Sequence, residues 1–274
     1  MKAIHLILFS MIASFHISSS FAQQKEVKIF AHRGGAYEYD ENTMYAFEES
    51  YKQGARGFEL DIRLTKDNRL VLIHDPSMKR TVGIDKPIEE LTLREVKKLR
   101  TLKGNPIPTL EEAVAFFKDK RGLYVEFEMK TQKPLYDEAM LKLYCDQVYR
   151  KVYESVPSGS TYVLTSFDKR PLSYLRANHP SATVVLLKST GLSDELMAEA
   201  KELNIDRIGC RLEGTTRDMI KKAKDQGFKI TLWPGRSVED FLLGVMLEPE
   251  ALCTDVPVAV MTWVKANAPW ITIK

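Results

Sequence analysis

Gly57–Pro76, GFELDIRLTKDNRLVLIHDP, reads as two extended runs joined at Lys66-Asp67-Asn68-Arg69, where Asp67 and Asn68 suit the positive φ angles of a tight hairpin. Strand side chains alternate between faces, so Phe58, Leu60, Ile62 and Leu64 share one side and Glu59, Asp61 and Arg63 the other. A turn centred on Asp67-Asn68 sets Asp61 opposite His74. The apolar side is then free to pack into a core while two carboxylates and an imidazole gather behind it. Three charged residues at alternate positions of one strand point to a site rather than to stability.

Outward from this hairpin the chain alternates strands and helices. Upstream, a strand at Val27–Phe30 runs into Ala31-His32-Arg33-Gly34-Gly35, and a helix at Thr43–Gln53 has Thr43 as N-cap and Gly54 at its end. Downstream, residues 79–108 carry turn signals and a short helix around Leu93–Leu102, and form a small inserted lobe. From Thr109 onward, helices at 110–118, 136–154, 172–178, 193–203, 216–226, 238–246 and 258–266 alternate with strands at 123–129, 162–166, 183–187, 207–210, 229–233 and 251–254. With the strands at 27–30 and 58–64 the count is eight, and such alternation implies a parallel sheet. Eight units fit an α/β fold of the closed (β/α)8 TIM-barrel type, with Arg69–Asp75 as an extra antiparallel arm. An open doubly wound sheet is the alternative, but no glycine-rich dinucleotide fingerprint follows the first strand.

The 274 residues divide unequally. Residues 1–22 have Lys2 in a positive start, an apolar run from Ile4 to Ala13 and Ser20-Phe21-Ala22 as a small-x-small cleavage signal, the pattern of a removable export signal. The apolar run is short of the ~20 residues that a membrane span needs. Residues 23–274 then form a single domain, exported to a periplasm or secreted, with no lasting membrane anchor. A formal net charge of +3 with no basic block argues against nucleic acid as a partner. Cys145, Cys210 and Cys253 make neither a CxxC pair nor a zinc pattern, and read as buried free thiols.

In a barrel of this kind, catalytic groups sit at the C-terminal ends of the strands. His32, Arg33, Glu59, Asp61, Glu126, Glu128 and Lys130 fall there, followed by Ser166, Lys188, Arg211, Trp233 and Asp255. Carboxylates at Glu59, Asp61 and Glu128 on neighbouring strands repel one another unless protonated or neutralised. One divalent cation resolves the conflict, and an all-oxygen set selects Ca²⁺ or Mg²⁺ over zinc. The competing reading pairs the three acids with Arg33, Arg63 and Lys130 as an internal ion network. Glu126 shares the face of Glu128 and is left as either a ligand or a partner of a base. Outside the leader the histidines are His32, His74 and His179; the first two fall beside the acids, whereas His179, next to Pro180, reads as surface. His32 and His74 suit proton transfer near neutrality, and Arg33 and Lys130 suit phosphate oxygens. Together these are the parts of phosphodiester cleavage.

The chain resembles the glycerophosphodiester phosphodiesterases in an ordered set of motifs: His32-Arg33-Gly34, Glu41-Asn42-Thr43, Glu59-Leu60-Asp61, His74-Asp75, Glu128-Met129-Lys130, Ser166-Phe167, Trp233 and Thr254-Asp255-Val256-Pro257. The resemblance implies a TIM barrel with an inserted lobe, and Ca²⁺ or Mg²⁺ held by Glu59, Asp61 and Glu128. It also implies His32 and His74 as the acid/base pair, and Arg33 and Lys130 on the phosphate. In the mechanism it implies, a substrate hydroxyl next to the phosphate attacks phosphorus and expels the alcohol, and water then opens the cyclic phosphate to glycerol 3-phosphate. Trp233 either walls the glycerol portion of the substrate or is a core aromatic. Glu41 braces the first loop, holds a metal-bound water or serves the helix start, and Asp255 fixes the last strand–helix turn. Arg63, Lys188 and Arg211 add positive charge that hints at a second anionic group on the substrate. After Trp233, Pro234-Gly235-Arg236 departs from the family's usual small or polar run, so the alcohol is left open.

Two further readings accompany this one. A phospholipase-like enzyme would stop at the cyclic phosphate or act on intact lipid, and phosphorus NMR of the product separates it from a hydrolase. A non-catalytic phosphodiester-binding barrel would have no use for two proton carriers. The oligomeric state is not legible.

Overall fold

The computed structural model describes residues 24–131 and 135–274; the expected leader, residues 1–22, lies outside them. In chain order the elements are β1 (Lys25–Val27), β2 (Ile29–Ala31), α1 (Met44–Lys52), β3 (Gly57–Leu64), β4 (Leu70–Leu72), α2 (Lys79–Val82), α3 (Leu93–Val96), α4 (Leu110–Lys118) and β5 (Tyr124–Met129). They continue through α5 (Glu138–Tyr153), β6 (Thr161–Ser166), α6 (Lys169–Asn178), β7 (Val184–Leu187), α7 (Asp194–Glu202), β8 (Arg207–Arg211) and α8 (Arg217–Asp225). The last are β9 (Lys229–Gly235), α9 (Val238–Leu247), β10 (Ala251–Thr254), α10 (Pro257–Asn267) and β11 (Ile271–Ile273).

Strands β2, β3 and β5 to β10 pair in parallel, and the bridge from Ala31 to Phe58 joins the first to the second and closes the eight-stranded barrel. Polar caps fix where the helices begin: Thr43, Thr109, Asp137, Asp168, Ser193, Thr216 and Ser237 each accept a bond from a backbone N–H of the first turn, satisfying donors the helix itself leaves open. Pro257 starts α10 instead. Alternation sorts the strand residues into two packed layers. Phe58, Leu60, Ile62, Val125 and Phe127 pack outward against the helices, while Phe30, Tyr124, Val163, Val185 and Ala251 fill the lumen.

The lumen is therefore plugged at the level of Tyr124, and the inward positions further along the strands are polar. Parallel register sets Glu59 beside Glu126 and Asp61 beside Glu128, so two adjacent strands deliver four inward carboxyls.

Three local expectations change. The hairpin turn is one residue shorter than a turn centred on Asp67-Asn68: Ile62 pairs with Leu72, Arg63 with Val71 and Leu64 with Leu70, so Asp61 lies opposite Ile73, whose N–H donates to its carbonyl. Thr65 closes the loop by accepting at Oγ1 from Arg69 N–H, and Asn68 alone takes a positive φ. The stretch at Val27–Phe30 divides into β1 and β2, and β1 pairs in parallel with β11. The helix expected to reach Leu102 ends after one turn at Val96. Residues 79–108 pack around Met78, Val82, Ile88, Val96 and Ile107 against Val71 and Ile73, a cluster separate from the main core.

Candidate active site

The cavity lies at the C-terminal mouth of the barrel and has a volume of about 620 Å³. His32, Arg33, Glu59, His74, Glu128, Lys130 and Trp233 line it, whereas Glu41, Asp61, Lys188, Arg211 and Asp255 do not. Asp61 lies beneath the lining side chains, fully buried.

Glu59, Asp61 and Glu128 each bring one carboxylate oxygen to within 4.8 Å of the others. Asn42 holds Asp61 from two sides, donating from Nδ2 to Oδ2 at 2.7 Å and accepting from the Asp61 N–H at 3.0 Å. Glu59 Oε2 accepts from Arg33 N–H at 2.9 Å. The ion-network reading holds in part. Lys130 Nζ lies 2.5 Å from Glu128 and 3.0 Å from Asp61, and Arg33 Nε lies 3.4 Å from Asp61. Arg63 does not join: it donates to the His74 carbonyl and pairs with Glu89 at 3.0 Å. Two cations thus face three acids, and the imbalance falls on Glu59. Burial, together with the charges of Asp61 and Glu128, pushes its carboxyl well above the usual range. Burial works the same way on Asp61, but Lys130, His74 and Arg33 outweigh it and hold that carboxyl well below.

Glu59 Oε1 is buried without a hydrogen-bond partner, a costly state for a carboxylate oxygen, and Asp61 Oδ1 is met by the Lys130 ammonium at 3.0 Å. One orphaned oxygen on a trio of acids whose ligand oxygens come within 4.8 Å of one another, a separation one ion can span with oxygen contacts of about 2.0–2.6 Å, fits a hard divalent cation.

Each histidine is gripped through Nδ1 by a carboxylate: His32 by Asp255 Oδ1 at 2.5 Å and His74 by Asp75 Oδ1 at 2.7 Å. A carboxylate on Nδ1 fixes the tautomer that leaves Nε2 free for chemistry. His32 Nε2 is 3.9 Å from Glu59 Oε2. Burial, reinforced by Lys130 and Arg33 against the opposing pull of Asp61, lowers the His74 pKa from its ordinary value. Asp255 therefore does more than fix a turn, and Asn42, Asp75 and Asp255 all support the site. Asn42, Asp75 and Asp255 fall within the ordered motifs; their roles depend on which side chain they touch, which spacing does not disclose.

Glu126 stands apart from the trio, accepting at 2.5 Å from the Tyr124 hydroxyl. Glu41 bridges Arg33 and Arg80. Trp233 packs edge-on to Phe167 at 5.4 Å with Arg211 stacked on it, and its indole N–H has no partner. Arg211 is engaged by Glu213, Lys188 by Glu199 and Arg63 by Glu89, so a second anionic group on the substrate finds no free cation among them. His179 is tied to Asp146 and stacked on Tyr149 away from the cavity. Cys145, Cys210 and Cys253 are free and buried.

An eight-stranded parallel barrel with acids, imidazoles and fixed cations converging at its C-terminal mouth defines the class of TIM-barrel enzymes. The sequence profile of the glycerophosphoryl diester phosphodiesterase family matches residues 32–259. A glycerophosphodiester phosphodiesterase of Caldanaerobacter subterraneus is 29% identical over 248 residues, covering 86% of this chain and 97% of its own. Glycerophosphodiester phosphodiesterase 1 of Mus musculus is 27% identical, with 76% and 71% covered. In fold, the chain is similar to a phosphodiesterase of Oleispira antarctica solved in complex with the product sn-glycerol-3-phosphate, with a TM-score of 0.78, 20% identity and 87% and 96% of the two chains covered. The chain belongs to the glycerophosphoryl diester phosphodiesterase family and is an enzyme of that class.

Proposed function

We propose that the protein hydrolyses glycerophosphodiesters to an alcohol and glycerol 3-phosphate, with His32 and His74 exchanging protons and one Ca²⁺ or Mg²⁺ held by Glu59, Asp61 and Glu128. The observation that carries this reading is that two imidazoles, each fixed through Nδ1, open onto one cavity with Glu59 and Glu128, above the buried Asp61, and that Glu59 keeps an orphaned oxygen there. The cation, when bound, supplies Lewis-acid polarisation and charge neutralisation. Arg33 and Lys130 hold the phosphate oxygens. His74, kept neutral by its lowered pKa, takes a proton from the attacking glycerol hydroxyl through Nε2. His32, held through Nδ1 by Asp255, gives a proton to the departing alcohol oxygen. Their roles reverse as water opens the cyclic phosphate. Trp233 walls the organic part of the substrate. On the pattern of residues 1–22 we propose export, to a periplasm or outside the cell.

The test is glycerol 3-phosphate release from a panel of glycerophosphodiesters. His32→Ala and His74→Ala are expected to lower kcat by roughly 10²–10⁴-fold, the usual worth of a positioned acid or base. Full turnover in either variant overturns the reading, and a persistent cyclic phosphate in the phosphorus NMR spectrum overturns its second step.

A further inference from the structure

Among the described residues, none of the lobe at 79–108 lines the cavity, yet the lobe grips both histidine-bearing loops by charge. Arg80, on α2, donates from Nε to Asp75 Oδ2 at 2.6 Å. Its Nη1 and Nη2 donate to the two oxygens of Glu41, each at 2.7 Å. Asp75 in turn holds His74 Nδ1 at 2.7 Å. Glu41 Oε1 accepts from Arg33 Nη1 at 3.1 Å, one residue beyond His32. An unbroken run of charged contacts therefore passes from one imidazole, through the lobe, to the neighbour of the other. From the same lobe Glu89 draws Arg63 Nη1 to 3.0 Å, and the remaining nitrogens of Arg63 hold the His74 carbonyl at 3.1 and 2.9 Å.

Charge pairing alone, which any cation here would supply to carboxylates that are only 11% and 21% exposed, does not account for Arg80. Its planar fork satisfies two carboxylates from separate loops at once, a geometry lysine does not reproduce. The loop on the Glu41 side also needs holding, since Arg33 and Asn42 both adopt positive φ, at 50° and 56°, conformations that persist where the surroundings over-determine them.

We infer that the lobe is a clamp setting the spacing of His32 and His74, and that Arg80 is its positioning residue, acting on turnover without touching substrate. The inference rests on the proposed proton-transfer roles of the two histidines. In the full chain, Arg80→Met is expected to lower kcat roughly 10- to 100-fold, as a displacement of about 1 Å at a reacting group does. KM is expected to rise less than kcat falls, because the phosphate-binding Arg33 keeps its place but loses part of the support it has through Glu41. The thermal midpoint falls as well, because two mostly buried carboxylates lose their partner, so kcat is read on protein that is folded at the assay temperature. Asp75→Asn breaks the same run, so adding Arg80→Met to it should cost less than about threefold more. A kcat for Arg80→Met within about twofold of the wild type overturns the clamp, as do losses that multiply in the double variant or a kcat loss matched by unfolding. An active His74→Ala protein would remove the proton-transfer reading itself; an inactive His74→Ala beside a fully active Arg80→Met removes the clamp alone.

Discussion

Glu126 sits in the lumen one inward position below Glu128, with the Tyr124 hydroxyl on one oxygen. Burial pushes its carboxyl up to about 7, against an ordinary value near 4.5. The sign follows from linkage: below the ordinary value both folded and unfolded chains are protonated, and between there and about 7 only the unfolded chain releases the proton. Stability therefore falls with rising pH across that window, by about 3 kcal/mol when complete. Glu126→Gln keeps an acceptor for Tyr124 without the charge. In chelated protein it should match the wild type near pH 4.5 and exceed it by that amount at pH 8, as read by urea unfolding; an equal gap at both values contradicts the assignment. Residue types and parity sufficed to find the trio and both histidines, because charge on an inward strand position is rare and informative. They did not disclose the carboxylates on Nδ1. Asp255 and Asp75 owe their roles to contacts across 223 residues in one case and to a side-chain rotation beside its own histidine in the other, and neither leaves a periodic mark.

Among the elements, β3 joins core to site because both its faces are buried: one packs on helices and the other forms the site. Its first residue has a separate duty. A Cβ at Gly57 would lie 2.2 Å from the Ile29 carbonyl and 2.6 Å from the Phe30 Cβ, at the seam where β2 meets β3 and the barrel closes. Gly57→Ala is expected to destabilise the fold by about 1–3 kcal/mol, the range for overpacking, with a lowered thermal midpoint as the readout. An unchanged midpoint would mean the seam is looser than drawn. Alternation showed which way β3 faces, the cap at Thr43 located the first helix, and the strand–helix rhythm located most later helix starts to within a residue or two. The hairpin register was off by one because Asp67 and Asn68 both tolerate positive φ, and only Asn68 uses it. The β1–β11 ladder joins three-residue segments 246 positions apart, too short and too distant for any local pattern.

Over the whole molecule, the plugged lower lumen and the polar upper lumen divide stability from chemistry, and the inserted lobe belongs to the chemistry through its charged contacts rather than through the cavity. Among the described residues no helix is long and apolar enough to cross a membrane. The central claim is that acids from β3 and β5 gather around one hard cation within reach of two imidazoles, and that this arrangement hydrolyses the phosphodiester. The most direct measurement is glycerol 3-phosphate release by protein stripped with a chelator and then titrated with Ca²⁺ or Mg²⁺. The account predicts that stripping lowers the rate at least ~10²-fold, as expected where a cation supplies several kcal/mol at the transition state. It also predicts recovery at one equivalent of bound ion in the wild type, but not in Asp61→Asn. Undiminished turnover in the stripped protein would contradict it.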